Sequence, residues 1–168
     1  MNKDISSIFL DFDGVLNNES FLRKLRGRRI TYSSKNELLI MQEQICDKNI
    51  LCLKQALDQL PEVKIVISSA WRLGYSLDNL KELLTLNKIK NEVIGVTPSI
   101  GKPSSIRGDE IKEFLNSNPR IKNFLVIDDN SVFDLGDPYI KNFLKTSPFT
   151  GLTPEDTQTI INFFKENK

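Results

Sequence analysis

The strongest constraint on the fold is a recurring pattern of short apolar runs, each ending in polar residues and separated by stretches of helical periodicity. Residues 7–12, 63–67, 92–96 and 124–127 are such runs, and Phe143-Leu144-Lys145-Thr146 is a weaker fifth. Val63-Lys64-Ile65-Val66-Ile67 is short and β-branched, which suits a buried strand. Between the runs, residues 47–60 put Ile50, Leu53, Leu57 and Leu60 on one helical face, with Asp47 as the expected N-cap and Pro61 as the stop. Residues 76–87 repeat the pattern with Ser76 as cap, and residues 106–116 are expected to bury Ile111, Phe114 and Leu115. A last helix opens with Thr153 at the N-cap and Pro154 at the first helical position, turning Ile160, Ile161 and Phe164 inward. Strands alternating with helices predict an α/β fold: a Rossmann-like parallel sheet of about five strands with helices on both faces. Ligands bind such a sheet outside the carboxyl ends of its strands, where strand order reverses.

The residues at those ends carry the chemistry. The first run continues as Asp11-Phe12-Asp13-Gly14, two carboxylates one residue apart followed by a glycine that permits a sharp turn. In extended geometry both would project to one face and repel each other unless a cation or proton lay between them. That suits a Mg²⁺ site with a nucleophilic carboxylate beside an acid/base carboxylate, although such a tetrapeptide alone is more often a solvated turn. An EF-hand is excluded, because counting from Asp11 the required glycine and glutamate positions hold Leu16 and Leu22. The second run ends in Ser68-Ser69-Ala70-Trp71-Arg72, and the fourth in Asp128-Asp129. Arg107 opens the helix before the fourth run, where a cation opposes the helix dipole and so hints at another purpose. Trp71 reads as packing rather than as a substrate platform. Arg72 either binds phosphate or pairs with a carboxylate.

Absences narrow the field. The chain of 168 residues has no histidine, which excludes Ser-His-Asp and Cys-His catalysis and His-ligated zinc. Cys46 and Cys52 are the only cysteines; neither starts a Cys-x5-Arg phosphate loop, and two give no disulfide framework. Acid/base work must fall to carboxylates, lysine or tyrosine. With a net charge of +1, no apolar run near ~18 residues and no signal-peptide pattern at Met1-Asn2-Lys3-Asp4, the expectation is a single cytoplasmic domain over 1–168, away from membranes.

One stretch breaks the alternation. Residues 17–46 read as an irregular flap or short insert over the end of the first strand. Every charged residue between Glu19 and Glu37 is basic: Arg23, Lys24, Arg26, Arg28, Arg29 and Lys35. The insert is too short for a separate cap of about 50 residues, so the site is expected to lie open. Six cations suit a polyanionic partner such as a nucleic acid, and a solvated basic surface explains that stretch equally well.

In order along the chain, Asp11-x-Asp13, Ser68-Ser69, Arg107 and Asp128-Asp129 resemble the haloacid dehalogenase-like (HAD) phosphatase superfamily. More narrowly, "SSAWR" (68–72), "RGDEIKEFL" (107–115), "LVIDD" (125–129) and "TSPFTGLT" (146–153) are similar to the HAD domain associated with bacterial RNA-repair proteins. The resemblance implies a phosphoric monoester hydrolase in which Asp11 attacks phosphorus to form an aspartyl-phosphate. Asp13 would then protonate the leaving oxygen and activate the hydrolytic water. It also implies Mg²⁺, held by Asp11, the backbone carbonyl of Asp13 and one of the acidic pair, with Asp129 favoured over Asp128 and Asp134 as outer support. Ser69, favoured over Ser68, would bind a phosphoryl oxygen. The cation beside the nucleophile would be Arg107 rather than Lys102, which stands in a "GKPS" string (101–104) also similar to a family form. Arg72, Arg26 and Arg28 would assist substrate binding. The implied substrate is a phosphorylated end of RNA or DNA. The alternatives are a phosphatase of nucleotides or other small metabolites, and a binding module of the same fold without turnover. Oligomeric state is left open.

Overall fold

A computed structural model of the chain describes residues 4–26, 36–100, 107–130 and 142–167. Five parallel strands form one sheet: β1 (Ile5–Leu10), β2 (Lys64–Ile67), β3 (Val93–Val96), β4 (Ile121–Asp128) and β5 (Phe143–Lys145), in the order β3-β2-β1-β4-β5. Among the described residues the helices are α1 (Glu19–Arg26), α2 (Glu37–Glu43), α3 (Asp47–Asp58), α4 (Leu77–Leu86), α5 (Arg107–Ser117) and α6 (Pro154–Glu166), with a 3-10 turn at Ala70–Leu73. The Rossmann-like α/β expectation is met.

Alternation along the strands divides the core in two. Ile8 and Leu10 of β1 join Ile65, Ile67, Leu125 and Ile127 on one face, covered by α2, α3, α4 and α6 through residues such as Met41, Leu53, Leu83 and Ile160. Phe9, Val66 and Val126 point to the other face, where Ile111 of α5 covers them. Phe9 meets Phe114 and Phe124 edge-on at centroid separations of 5.8 and 5.7 Å. Among the described helices, α5 alone covers this second face. The chain crosses over on the first face from β1 to β2 to β3, then returns beneath the sheet through α5 to place β4 beside β1. Strand order therefore reverses between β1 and β4, and the crevice lies at their carboxyl ends.

Local signals behaved largely as their chemistry predicts. Ser76 caps α4 by accepting from the Asn79 N–H, and Thr153 with Asp156 forms a reciprocal capping box on α6 with Pro154 just inside. Several expectations need correction. Asp47 does not cap α3; it is the first helical residue, where its charge favours the positive end of the helix, and Cys46 stands at the cap without a side-chain bond. The first strand spans 5–10 rather than 7–12, because the chain turns as soon as Asp11 has bonded to Ile127. The fourth strand starts earlier than expected, at Ile121, which pairs with Ile5. Phe114 and Leu115 are partly rather than fully buried. The insert at 17–46 is not irregular in its described parts: it contains α1 and α2, and α2 buries Leu38 and Met41. Arg28, Lys102 and Asp134 lie outside the described residues.

Candidate active site

Asp11 is the first residue beyond β1. Its N–H donates to the Ile127 carbonyl at 3.0 Å, so the backbone is still tied to β4 when the side chain enters the crevice. The carboxylate is buried, 4% exposed, and its Oδ1 accepts the Phe12 N–H at 2.8 Å. Asp128, the last residue of β4, is fully buried; its Oδ1 accepts the Asn130 N–H at 2.8 Å and its Oδ2 accepts from Arg107 at 2.6 Å. The same Arg107 nitrogen forms an ion pair with Oδ2 of Asp11. One guanidinium from the first residue of α5 thus bridges the ends of two neighbouring strands.

Asp129 completes the group. Carboxylate oxygens of Asp11, Asp128 and Asp129 lie within 4.8 Å of one another. The chain can pack this closely because Gly14 lies under Asp129: its φ is +66°, and a Cβ there would fall inside the Asp129 carboxyl group. Thr146, just beyond β5, locks the arrangement from below. Its Oγ1 donates to the Gly14 carbonyl at 2.7 Å and its N–H to the Asp128 carbonyl at 3.0 Å.

The electrostatics follow from that crowding. Burial, then the neighbouring Asp11 charge, pushes Asp128 up to about 6 against the opposing pull of Arg107. Asp129 is raised for the same two reasons. Burial alone would lower Arg107, but the Asp11 and Asp128 charges more than reverse it and hold the guanidinium above its ordinary value. Three carboxylates answered by one cation leave an excess of negative charge. Hard oxygen donors grouped at this spacing fit Mg²⁺, which binds through few carboxylates and keeps its remaining positions for water and phosphate. The oxygens of Asp128 are engaged by Arg107 and Asn130, and those of Asp11 by Arg107 and the Phe12 N–H, which leaves Asp129 the freer donor.

Asp13 is placed differently. Its side chain is exposed and stands apart from the three-carboxylate group, because the strand ends before it and the alternation expected for Asp11 and Asp13 does not persist. Ser68 and Ser69 are both fully buried at the end of β2. Ser69 caps the 3-10 turn, its Oγ accepting the Trp71 N–H at 3.4 Å, while the Ser68 Oγ has no partner. Arg72, expected to assist substrate binding, is instead placed as a brace. Its guanidinium donates to the carbonyls of Ser68, Ser69 and Thr97 and pairs with Glu110 at 2.5 Å. Glu110 lies one helical turn beyond Arg107, so this brace holds the start of α5 against the end of β2. Arg26 is exposed on α1. The sequence reading missed Thr146, although it begins one of the strings quoted for the resemblance. Nothing local marks a threonine whose two bonds depend on strand order.

Residues 7–157 match the family described as the HAD domain in Swiss Army Knife RNA repair proteins. The chain belongs to this family. The HAD fold is also that of a solved structure, the HAD domain of effector protein Lem4 from Legionella pneumophila, at 19% identity and a TM-score of 0.53 over 95% of this chain and 94% of that one. A second structure of the Lem4 domain, an inactive mutant, aligns at 19% identity and a TM-score of 0.54 over 99% of each chain. At that identity the likeness speaks for the fold alone. No curated protein sequence matches the chain.

Proposed function

We propose that this HAD domain is a Mg²⁺-dependent phosphomonoester hydrolase working through an aspartyl-phosphate on Asp11. The observation that carries the reading is the meeting of Asp11, Asp128 and Asp129 around Arg107 at the β1/β4 crevice. An Asp11 oxygen attacks phosphorus as the bond to the leaving oxygen breaks, and Asp13 gives that oxygen its proton. Water then attacks the same phosphorus and loses a proton to Asp13, which releases phosphate and restores Asp11. Arg107 offsets charge on the nucleophile and the transferring group, which is where most catalysis of phosphoryl transfer resides. Asp11 and Asp129 with the Asp13 carbonyl would hold Mg²⁺, which would supply further charge neutralisation. Ser69 is the proposed phosphoryl hydrogen-bond donor.

A nucleic-acid end is the substrate best supported. The description of the family points to RNA repair. Helix α1 carries Arg23, Lys24 and Arg26 in its last turn, and none of its residues is buried. The exposed Phe149 stands beside it, its backbone carbonyl accepting from Ser20 at 3.1 Å while the Pro148 carbonyl accepts the Glu19 N–H at 2.8 Å. Exposed cations in the last turn of a helix whose first turn meets the Phe149 segment suit a single strand whose base stacks while its phosphates are neutralised.

The test is phosphate release from 4-nitrophenyl phosphate and from phosphorylated oligonucleotides, with Mg²⁺ or with EDTA, for wild type and Asp11→Asn. Turnover that needs both Mg²⁺ and Asp11, and a preference for oligonucleotides over mononucleotides that weakens with salt, is expected. Equal inactivity of wild type and variant across metals would end the phosphatase reading. A preference for mononucleotides that survives Lys24→Glu and Arg26→Glu would end the nucleic-acid one.

A further inference from the structure

The carboxylate of Asp13 is gripped on both oxygens by side chains to which the chemistry above gives no task. The Trp71 indole Nε1–H donates to Oδ2 at 2.9 Å, and the Asn17 Nδ2–H donates to Oδ1 at 2.9 Å. Both donors are themselves fixed. Asn17 is fully buried, and its Oδ1 accepts the Gly14 N–H at 3.0 Å, which sets the amide with its nitrogen toward Asp13. Trp71 is buried in the larger core cluster, edge-on to Phe12 at 5.3 Å between centroids and tilted against Tyr75 at 5.7 Å. It stands two residues beyond Ser69, so the indole runs from the end of β2 across to the loop beyond β1. Packing alone does not require its one polar atom to meet a carboxylate that is otherwise exposed to solvent.

We propose that Trp71, assisted by Asn17, is a positioning residue that holds the Asp13 carboxylate in line for proton transfer to the leaving group. This role rests on the reading of Asp13 as the proton carrier. A carboxylate oxygen offers about two lone-pair sites. The clamp takes one on each oxygen and leaves another on each for the proton in transit. In the first half-reaction the Asp13 O–H bond breaks while the leaving oxygen gains its O–H and the P–O bond opens; in the second, the proton of the attacking water returns to Asp13. A carboxylate free to rotate would reach this geometry only part of the time, and small misplacements are costly in proton transfer.

Trp71→Phe keeps an aromatic ring between Phe12 and Tyr75 and removes the N–H together with the five-membered ring that carries it. Its effect is expected to depend on the leaving group. Hydrolysis of the aspartyl-phosphate is common to all esters, so the comparison is made on kcat/KM, which reports the first half-reaction. For 4-nitrophenyl phosphate, whose phenolate departs without a proton, it changes little, and for phenyl phosphate it falls about ten- to a hundred-fold further. An independent readout uses the fact that Trp71 is the only tryptophan, so the chain has one indole N–H resonance. Asp13→Ala is expected to shift it clearly while the backbone spectrum away from the site stays in place. Equal losses of kcat/KM on both esters, or an indole resonance unmoved by Asp13→Ala, would overturn the role while leaving the phosphatase reading intact. A wild type that releases phosphate from neither ester removes both, and the two failures are thereby told apart.

Discussion

At the scale of single residues, the site is governed by close approach. Gly14 shows this best, since it carries two constraints at once: a positive φ and an Asp129 carboxyl group where a side chain would begin. The sequence suggested a turn there. It gave no sign that a residue 115 positions downstream lay on top of it. Gly14→Ala is expected to cost about 1–3 kcal/mol through backbone strain alone. It also displaces Asp129, so Mg²⁺ affinity measured by calorimetric titration should drop at least tenfold while the far-ultraviolet circular dichroism stays near that of wild type. Unchanged affinity would mean that Asp129 does not contribute to a metal site. Arg72 teaches the reverse lesson. Its position beside Ser69 invited a phosphate-binding role, but carbonyls left free at the end of β2 and Glu110 on α5 were nearer partners.

At the scale of elements, the site depends on turns that are distant in sequence. Asn49, fully inside the first part of α3, donates to the carbonyls of Thr150 and Leu152 at 2.7 Å each and accepts from Asn18 at 2.8 Å. It thereby ties the start of α1 and the turn bearing Phe149 to one helix, and the side chain fills the space over Gly151, whose φ is +64°. Asn49→Ala leaves buried polar groups unpaired and is expected to cost roughly 2–4 kcal/mol in urea denaturation. A loss under about 0.5 kcal/mol, the range of ordinary surface substitutions, would show that this anchor is unimportant. Helix boundaries were readable where a cap and an apolar face coincided, as in α4 and α6. The insert was not. Its charges masked the apolar positions Leu38 and Met41, which declare a helical face only once the core beneath α2 exists.

For the whole molecule, the balance of charge in the crevice matters most. Three carboxylates meet one guanidinium, and Asp128 and Asp129 are raised first by burial and then by the neighbouring Asp11 charge. A ligand bound by the folded state alone stabilises it by mass action, about 2.7 kcal/mol at a hundred times its dissociation constant. At roughly 2–4 °C per kcal/mol for a domain of this size, Mg²⁺ should raise Tm by about 5–10 °C. Calorimetry with Mg²⁺, with EDTA and with an Asp129→Asn variant checks this. An equal shift in the variant, or none in wild type, would count against the metal site. None of the described helices is long and apolar enough to cross a membrane.

The sequence by itself determined the layers: apolar runs of period two and helical faces of period near 3.6 are local, and they required a parallel sheet with its polar residues at the strand ends. It also determined, through the missing histidine and the ordered Asp, Ser, Arg and Asp-Asp positions, which side chains are available for chemistry. Tertiary structure alone decided how those side chains are shared. The β3-β2-β1-β4-β5 order put Asp11 beside Asp128 and let Arg107 bridge them, whereas the early end of β1 sent Asp13 to Trp71 and Asn17. The physical reason is that periodicity assigns a residue to a face, while a hydrogen bond or ion pair forms only at contact distance. Contact between residues this far apart in the chain is set by which strands lie side by side.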